Sequence, residues 1–146
     1  MLRPCVFCGI VQGRFPSHRV YEDDRVVAFL DIHPSAPGHT LIVPRVHESQ
    51  IENLSEEDAA ALFRALHALV GKVQAAVGAE ASTVGINNGP ESGQEVPHIH
   101  IHVIPRSRGD RGGVVQGVAR SGRHLDDDEM RRIANKIRGP TAGEPP

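Results

Sequence analysis

Residues 98–106 read HIHIHVIPR, and the first five of them carry the strongest pattern in the chain. Successive side chains on a β-strand point to opposite faces of its sheet, so a two-residue period places His98, His100 and His102 on one face. Ile99 and Ile101 then point to the other face, where an apolar core accepts them. The pattern therefore predicts a strand over residues 96–104 with one buried face and a row of three imidazoles.

Three imidazoles in one row indicate a catalytic or metal-binding site. Histidine has an ordinary pKa of ~6.5 and serves as a nucleophile, a general acid or a metal ligand. The alternative is a row of surface histidines on a half-exposed strand. That reading suits one histidine better than three in register against β-branched neighbours.

Length, charge and cysteine content narrow the class of protein. The chain has 146 residues, enough for one domain with a real core, and a formal net charge of −2. That charge predicts neither nucleic acid nor an anionic membrane as a partner. No apolar run approaches ~20 residues and no signal peptide opens the chain, so we expect a cytoplasmic protein. Cys5 and Cys8 form a C-x-x-C pair, which indicates reduced thiols or a metal.

The order of the predicted elements indicates an α+β protein. Periodicity and turn residues predict strands over residues 19–21, 25–31, 39–43, 82–87 and 96–104. Ser55 resembles the cap of a long amphipathic helix over residues 59–77, and a second helix is predicted over residues 126–138. We predict a single domain over residues 1–138 and a disordered tail over residues 139–146.

The histidine strand resembles a family signature. The string GQEVPHIHIHVI at residues 93–104 resembles the His-φ-His-φ-His-φ-φ signature of the histidine triad (HIT) superfamily, where φ is apolar. Further blocks follow the family order: CVFCGI at 5–10, YEDD at 21–24, AFLDI at 28–32 and PGHTLIVP at 37–44. The resemblance covers roughly residues 5–110 and is nearest to the bacterial Hint branch. It implies an antiparallel β-sheet with one long helix and short terminal helices, paired into a two-fold homodimer.

The resemblance also implies a reaction and its residues. Hint-like proteins act on purine nucleoside phosphoramidates and acyl-nucleotides through a nucleotidyl-histidine. His100 has triad neighbours on both sides, and the middle position of the triad is the family's nucleophile. His102 is suited to contact the phosphate and assist the leaving group. His98 completes the triad, and His39 matches the family's fourth histidine on the phosphate side.

A nucleotide pocket is implied in the same way. Asp31 matches the ribose ligand, whose carboxylate accepts hydrogen bonds from both hydroxyls. The residues implied to line the base pocket, for which ordinary core packing is the alternative, are Phe7, Ile10, Phe29 and Ile32. Asn87 matches a polar side chain that touches the phosphate, and Gly93 and Gln94 would bring loop backbone close to it. Glu95 departs from the pattern, because many relatives carry Ser or Thr there, and its carboxylate puts the leaving-group preference in doubt.

The resemblance turns the cysteine pair into a candidate zinc site. In related bacterial proteins two N-terminal cysteines, a histidine after the strand and the first triad histidine resemble a Cys₂His₂ site. The matching residues are Cys5, Cys8, His47 and His98. Four protein ligands close the zinc shell, which is typical of a structural metal, and no organic cofactor is expected. The alternative is two cysteines that pack as apolar residues beside a surface His47.

We therefore expect a HIT-fold homodimer that cleaves a P–N or P–O bond of a purine nucleotide through His100. Three alternatives stay open: a dinucleoside polyphosphate hydrolase, a zinc-bearing nucleotide- or partner-binding module with little turnover, and a metalloenzyme with a His-x-His pair as open-site ligands. The other histidines, His18, His33, His67 and His124, carry no predicted role.

Overall fold

A computed structural model describes residues 4–118 and 124–139 of the chain. The residues up to Val115 belong to one compact unit, and those from Gln116 onward belong to a second. The first unit contains a short helix, five strands and a long helix, which confirms the α+β class. The helices and strands of this unit are α1 (Val6–Val11), β1 (Arg19–Glu22), β2 (Val26–Leu30), β3 (Thr40–Pro44), α2 (Glu56–Ala76), β4 (Ala81–Gly85) and β5 (Ile101–Arg106).

The five strands form one antiparallel sheet in the order β1-β2-β3-β5-β4. β2 and β3 lie inside the sheet and are almost wholly buried, because both faces of the sheet are covered there. Leu41 of β3 is paired with His102 of β5. This register decides which side chains share a face with the histidines.

Each face of the sheet has its own core. On one face α2 packs against Val26, Ala28, Ile42, Ile101 and Val103. On the other face two α1 residues pack against alternate residues of β2 and β3; this second cluster contains Phe7, Ile10, Val27, Phe29, Leu41 and Val43. Since residues alternate along a strand, His102 lies on the α1 face while its neighbours Ile101 and Val103 lie under α2.

The long helix begins where the sequence indicates. The Ser55 side chain accepts a hydrogen bond from the backbone N–H of Asp58, at 3.1 Å, as an N-cap residue does. Asp58 is itself buried and accepts a hydrogen bond from Arg25, in the turn directly before β2, at 2.9 Å. The cap therefore fixes the start of α2 relative to the strands.

The histidine strand begins later than predicted. β5 starts at Ile101 instead of residue 96, so only His102 of the three histidines lies in a strand. Pro97 has no N–H to donate, and the N–H of His98 bonds to the carbonyl of Val96, at 2.8 Å, in a tight turn. The N–H of Ile99 bonds to Glu48 outside the sheet, at 2.7 Å. The prediction of three histidines in strand register was therefore wrong for His98 and His100.

The second unit contains α3 (Asp127–Arg138), whose N-cap Asp126 forms a capping box with Glu129. The predicted tail over residues 139–146 lies, apart from Gly139, outside the described residues, and the single domain over residues 1–138 stays a prediction. None of the helices in the described part of the chain has the length and apolarity that a bilayer crossing requires.

Candidate functional site

A continuous row of rings runs across the α1 face of the sheet. Neighbouring ring centroids lie between 4.8 and 5.9 Å apart. In order, the rings belong to His47, His98, Phe7, His100, His102 and His39. Phe7 of α1 contacts both His98 and His100, so it separates the row into a part near the cysteines and a part beside a cavity.

His98 is fully buried and its two ring nitrogens have different partners. Its Nε2 lies 2.8 Å from the carbonyl oxygen of Pro44, which can only accept, so Nε2 carries the hydrogen. Nδ1 therefore has a free lone pair, and it lies 3.6 Å from Cys5 Sγ and 3.5 Å from Cys8 Sγ. Burial lowers the pKa of His98, which favours this neutral form.

The cysteine cluster has the donor set and spacing of a metal site. The ligand atoms of Cys5, Cys8, His47 and His98 all lie within 4.8 Å of one another, and Cys8 Sγ is 3.3 Å from His47 Nδ1. Tetrahedral zinc, with Zn–S of about 2.3 Å and Zn–N of about 2.1 Å, separates a sulfur from a nitrogen ligand by about 3.6 Å. Burial and the neighbouring Cys5 raise the pKa of the Cys8 thiol, an effect that a bound cation opposes. These residues fit a zinc ion.

His100 is held by the backbone of the first triad residue. Its Nδ1 lies 2.8 Å from the carbonyl oxygen of His98, so Nδ1 carries the hydrogen and donates it. Nε2 then has the lone pair. Only 6% of the surface of His100 is exposed, and the residue lines the cavity. Its unprotonated nitrogen is the one that a reacting group would meet.

Two hydrogen bonds in series connect the backbone of Ser35 to His39 and His39 to His102. The N–H of Ser35 donates to His39 Nδ1 at 3.0 Å, so His39 carries its hydrogen on Nε2. That Nε2 lies 2.9 Å from His102 Nδ1 and donates to it, which leaves His102 with its hydrogen on Nε2. Burial lowers the pKa of His39, and burial together with the neighbouring His100 and His39 lowers that of His102 to about 4. Both rings are thus neutral near pH 7.

Asp31 lies beside this pair, directly after β2. Its Oδ1 accepts a hydrogen bond from the backbone N–H of His33 at 2.9 Å, and its Oδ2 lies 3.7 Å from His39 Nε2. The side chain is only 20% exposed, yet it lines the cavity. The carboxylate is therefore oriented by the loop that follows it.

These groups line a cavity of about 660 Å³. Its apolar lining residues include Val6, Phe7, Ile10, Phe15, Phe29, Leu41 and Val96. The predicted site residues that line the cavity are Phe7, Ile10, Phe29, Asp31, Ile32, His39, Asn87, Gly93, Glu95, His100 and His102. A volume in this range suits a small-molecule ligand.

Two residues predicted for the catalytic and nucleotide-binding site have side chains that do not line the cavity. Gln94 accepts from the N–H of Gly89 and donates to the carbonyls of Ser49 and Val96, at 2.7–3.0 Å, so its side chain fastens the loop. The ring of His98 contacts the cysteines. Neither side chain lines the cavity.

Other lining residues were missed by the sequence analysis. Leu41 could have been found, because it lies two residues after His39 in the predicted strand over residues 39–43 and therefore on the same face of that strand. His33 was set aside although it follows Asp31 closely. Ser35 and Phe15 lie in loops, where no periodicity indicates which way a side chain faces.

Comparison with known proteins agrees with this architecture. The HIT domain family model matches residues 12–109. Protein hit of Bacillus subtilis is 38% identical over 141 residues, with 91% of each chain covered. Adenosine 5'-monophosphoramidase hnt1 of Schizosaccharomyces pombe is 35% identical, with coverage of 91% of this chain and 95% of the relative.

Solved structures agree as well. A HIT family protein of Bacillus subtilis has a TM-score of 0.82 at 32% identity, and the match covers 97% of this chain and 100% of that one. A Zn-bound histidine triad family protein of Mycobacterium smegmatis has a TM-score of 0.70 at 36% identity, with 73% and 78% covered. Taken with the triad and the antiparallel sheet beside it, these matches show that the chain belongs to the HIT family.

Proposed function

We propose that this protein is a nucleotide hydrolase that cleaves a P–N or P–O bond at the α-phosphate of a purine nucleotide, with His100 as nucleophile. The observation that carries the proposal is the hydrogen bond from His100 Nδ1 to the His98 carbonyl, which leaves the lone pair on Nε2 of a ring that lines the cavity. A relative covered over most of its length is named as an adenosine 5'-monophosphoramidase, which supports the reaction class.

The cavity offers surfaces for each part of a nucleotide. Phe7, Ile10 and Phe29 supply an apolar wall for a purine base, with Ile32 at its edge. Asp31 supplies a carboxylate for the ribose hydroxyls. Asn87 and Gly93 also line the cavity, and we propose that the Asn87 side chain and the loop backbone at Gly93 contact the phosphate.

The first chemical step forms a nucleotidyl-histidine. The Nε2 lone pair of His100 bonds to phosphorus, and the bond from phosphorus to the leaving nitrogen or oxygen breaks. The leaving atom keeps that electron pair. A carboxylate departs as it is, whereas an amine also takes up one proton from solvent, which we route through the Nε2–H of His102.

The second step releases the nucleotide. Water bonds to phosphorus, the Nε2–P bond breaks, and its electron pair returns to His100. One proton of the water stays on the phosphate oxygen and the other passes to solvent. The nucleoside monophosphate then leaves, and every histidine regains its starting state. His39 acts through His102 and keeps the His102 hydrogen on Nε2.

We further propose one zinc ion bound by Cys5, Cys8, His47 and His98. When bound, the ion supplies structural cross-linking, because the four protein ligands fill its coordination shell. The pairing of His98 Nε2 with the Pro44 carbonyl matches the outer hydrogen bond that zinc-ligating histidines usually make.

A second cluster could also hold a metal, although it is not the His-x-His pair of the metalloenzyme alternative, and the tautomers do not favour it. The ligand atoms of Asp31, His39 and His102 also lie within 4.8 Å of one another. However, the Ser35 N–H occupies His39 Nδ1 and thereby keeps the hydrogen on Nε2, the nitrogen that would have to bind the metal. A homodimer and a cytoplasmic location stay predictions from the sequence.

Dinucleoside polyphosphate hydrolysis would use the same nucleophile with a nucleotide as leaving group. A turnover panel of adenosine and guanosine phosphoramidates beside diadenosine polyphosphates separates the two activities. A binding module would bind these compounds with little turnover of any of them.

The nucleophile prediction concerns His100. His100→Ala should lose nearly all turnover of adenosine phosphoramidate and keep nucleotide affinity within about tenfold, roughly 1.4 kcal/mol, because only the covalent step is removed. Steady-state kinetics and calorimetry measure both, and His67→Ala on the exposed face of α2 is the control. More than a tenth of the wild-type kcat in His100→Ala would show that the role is misassigned.

The zinc prediction concerns the cysteine pair. Purified protein should carry one zinc per chain by elemental analysis. The double variant Cys5→Ser with Cys8→Ser should lose that zinc and melt at a lower temperature, because folding loses the free energy of metal binding. It should remain a slower but active enzyme. Full zinc content in the double variant, or none in protein prepared without chelator, contradicts the site.

The ribose prediction concerns Asp31. Asp31→Ala should weaken ribonucleotide binding by about 1.5–3 kcal/mol, the range for hydrogen bonds to a charged group, and should reduce the preference over 2′-deoxy analogues. Asp31→Asn keeps an acceptor for the His33 N–H and so tests the charge separately. An unchanged ribose-to-deoxyribose ratio in both variants would remove Asp31 from the site.

The pH prediction concerns His102. Its pKa is about 4 in the fold against an ordinary value of 6.5, so the unfolded chain binds a proton first as the pH falls. Its contribution is therefore complete above pH 6.5 and is lost between pH 6.5 and 4. In urea titrations, stability should fall over that window by up to about 1.4 kcal/mol per pH unit more steeply in wild type than in His102→Gln. Parallel curves would contradict the assignment.

A further inference from the structure

The charges that line the cavity are unusual for a site that receives a phosphate. Two carboxylates, Asp31 and Glu95, lie on its walls, and no lysine or arginine is found among the described residues that line it. His39 and His102 are neutral rings whose hydrogens are already directed by Ser35. The described part of the lining therefore offers no cationic side chain that would balance several phosphate charges at once.

The two carboxylates differ in their partners. Asp31 accepts a hydrogen bond from the His33 N–H and lies near His39. Glu95 is exposed, and within residues 4–118 and 124–139 it makes no hydrogen bond or ion pair. Its neighbour Gln94 is fastened by three hydrogen bonds, so the loop that carries Glu95 is anchored while the carboxylate is free.

The topology indicates which part of a substrate Glu95 meets. In the sheet order β1-β2-β3-β5-β4, Phe29 and Asp31 belong to the β2 side and His102 lies on β5. Asn87 and Glu95, like His100, belong to the connection from β4 to β5, and these two strands lie on the opposite side of β3 from β2. A nucleoside seated at the β2 side thus directs the group on the other side of its phosphorus towards Glu95.

We propose that Glu95 is a specificity-determining residue that selects leaving groups bearing a positive charge. The substrate class is a nucleoside monophosphate joined to an amine or acyl group that carries a second, protonated amine. Glu95 attracts that ammonium group and repels an anionic leaving group, a polyphosphate included, since no cation in the lining compensates. The inference rests on the proposed function.

The test compares three adenosine 5′-phosphoramidates that share one P–N bond: those of 1,3-diaminopropane, n-butylamine and β-alanine. The kcat/KM of the wild type should be highest for the cationic diaminopropane compound, lower for the neutral butylamine compound and lowest for the anionic β-alanine compound. The first two values should differ by about fivefold, which is the upper range for an exposed ion pair. The ratio should shrink at high salt. Glu95→Gln should abolish the ordering and Glu95→Lys should invert it, while Glu91→Gln, on the same connection but outside the cavity lining, should keep it.

Each outcome decides the question. Equal ratios in wild type and Glu95→Gln, with the butylamine compound turned over, overturn the role of Glu95 and leave the proposed function standing. Absence of turnover for all three compounds overturns both together. An ordering that disappears in Glu95→Gln and persists in Glu91→Gln supports the proposal.

Discussion

The hydrogen bond between His100 Nδ1 and the His98 carbonyl is the interaction on which the site depends. It joins the backbone of one triad residue to the side chain of the next. The ring of His98 meanwhile contacts Pro44 on one side and two sulfur atoms on the other. His98 thus connects the cysteine cluster to the ring that faces the cavity, without lining the cavity itself.

The position of the short helix α1 depends on its contacts with His98 and with the sheet. Six residues are too few for a stable isolated helix in water, so its position depends on what it packs against. Phe7 and Ile10 enter the apolar cluster on the sheet, and Cys8 lies beside His98. The close packing extends to Gly9, where an added Cβ would lie 2.4 Å from the ring of Phe15. The apolar wall of the cavity is therefore built by a helix that the rest of the fold holds in place.

Much of this arrangement could be predicted from local pattern and family resemblance, namely the α+β order, the five strands, the cap at Ser55 and the proximity of Cys5, Cys8, His47 and His98. The exceptions have physical causes. Alternation of His and Ile predicted a strand through His98, but Pro97 and the bond from Ile99 to Glu48 withdraw that segment from the sheet. Ser35 sets the tautomer of His39 through a backbone N–H, which no side-chain pattern encodes. For Gln94 the resemblance implied only that the loop backbone lies near the phosphate, and the hydrogen bonds of its side-chain amide to Gly89, Ser49 and Val96 could not be read from the sequence.

The pairing of Leu41 with His102 also limits where the chain can change in length. A strand repeats every two residues, so one inserted or deleted residue in β3 or β5 exchanges the faces of all side chains beyond it. The imidazole of His102 would then enter the apolar core between the sheet and α2, and an isoleucine would take its place beside His39. Changes in length should consequently accumulate in the connections, such as the acidic turn between β1 and β2, and spare β3 and β5.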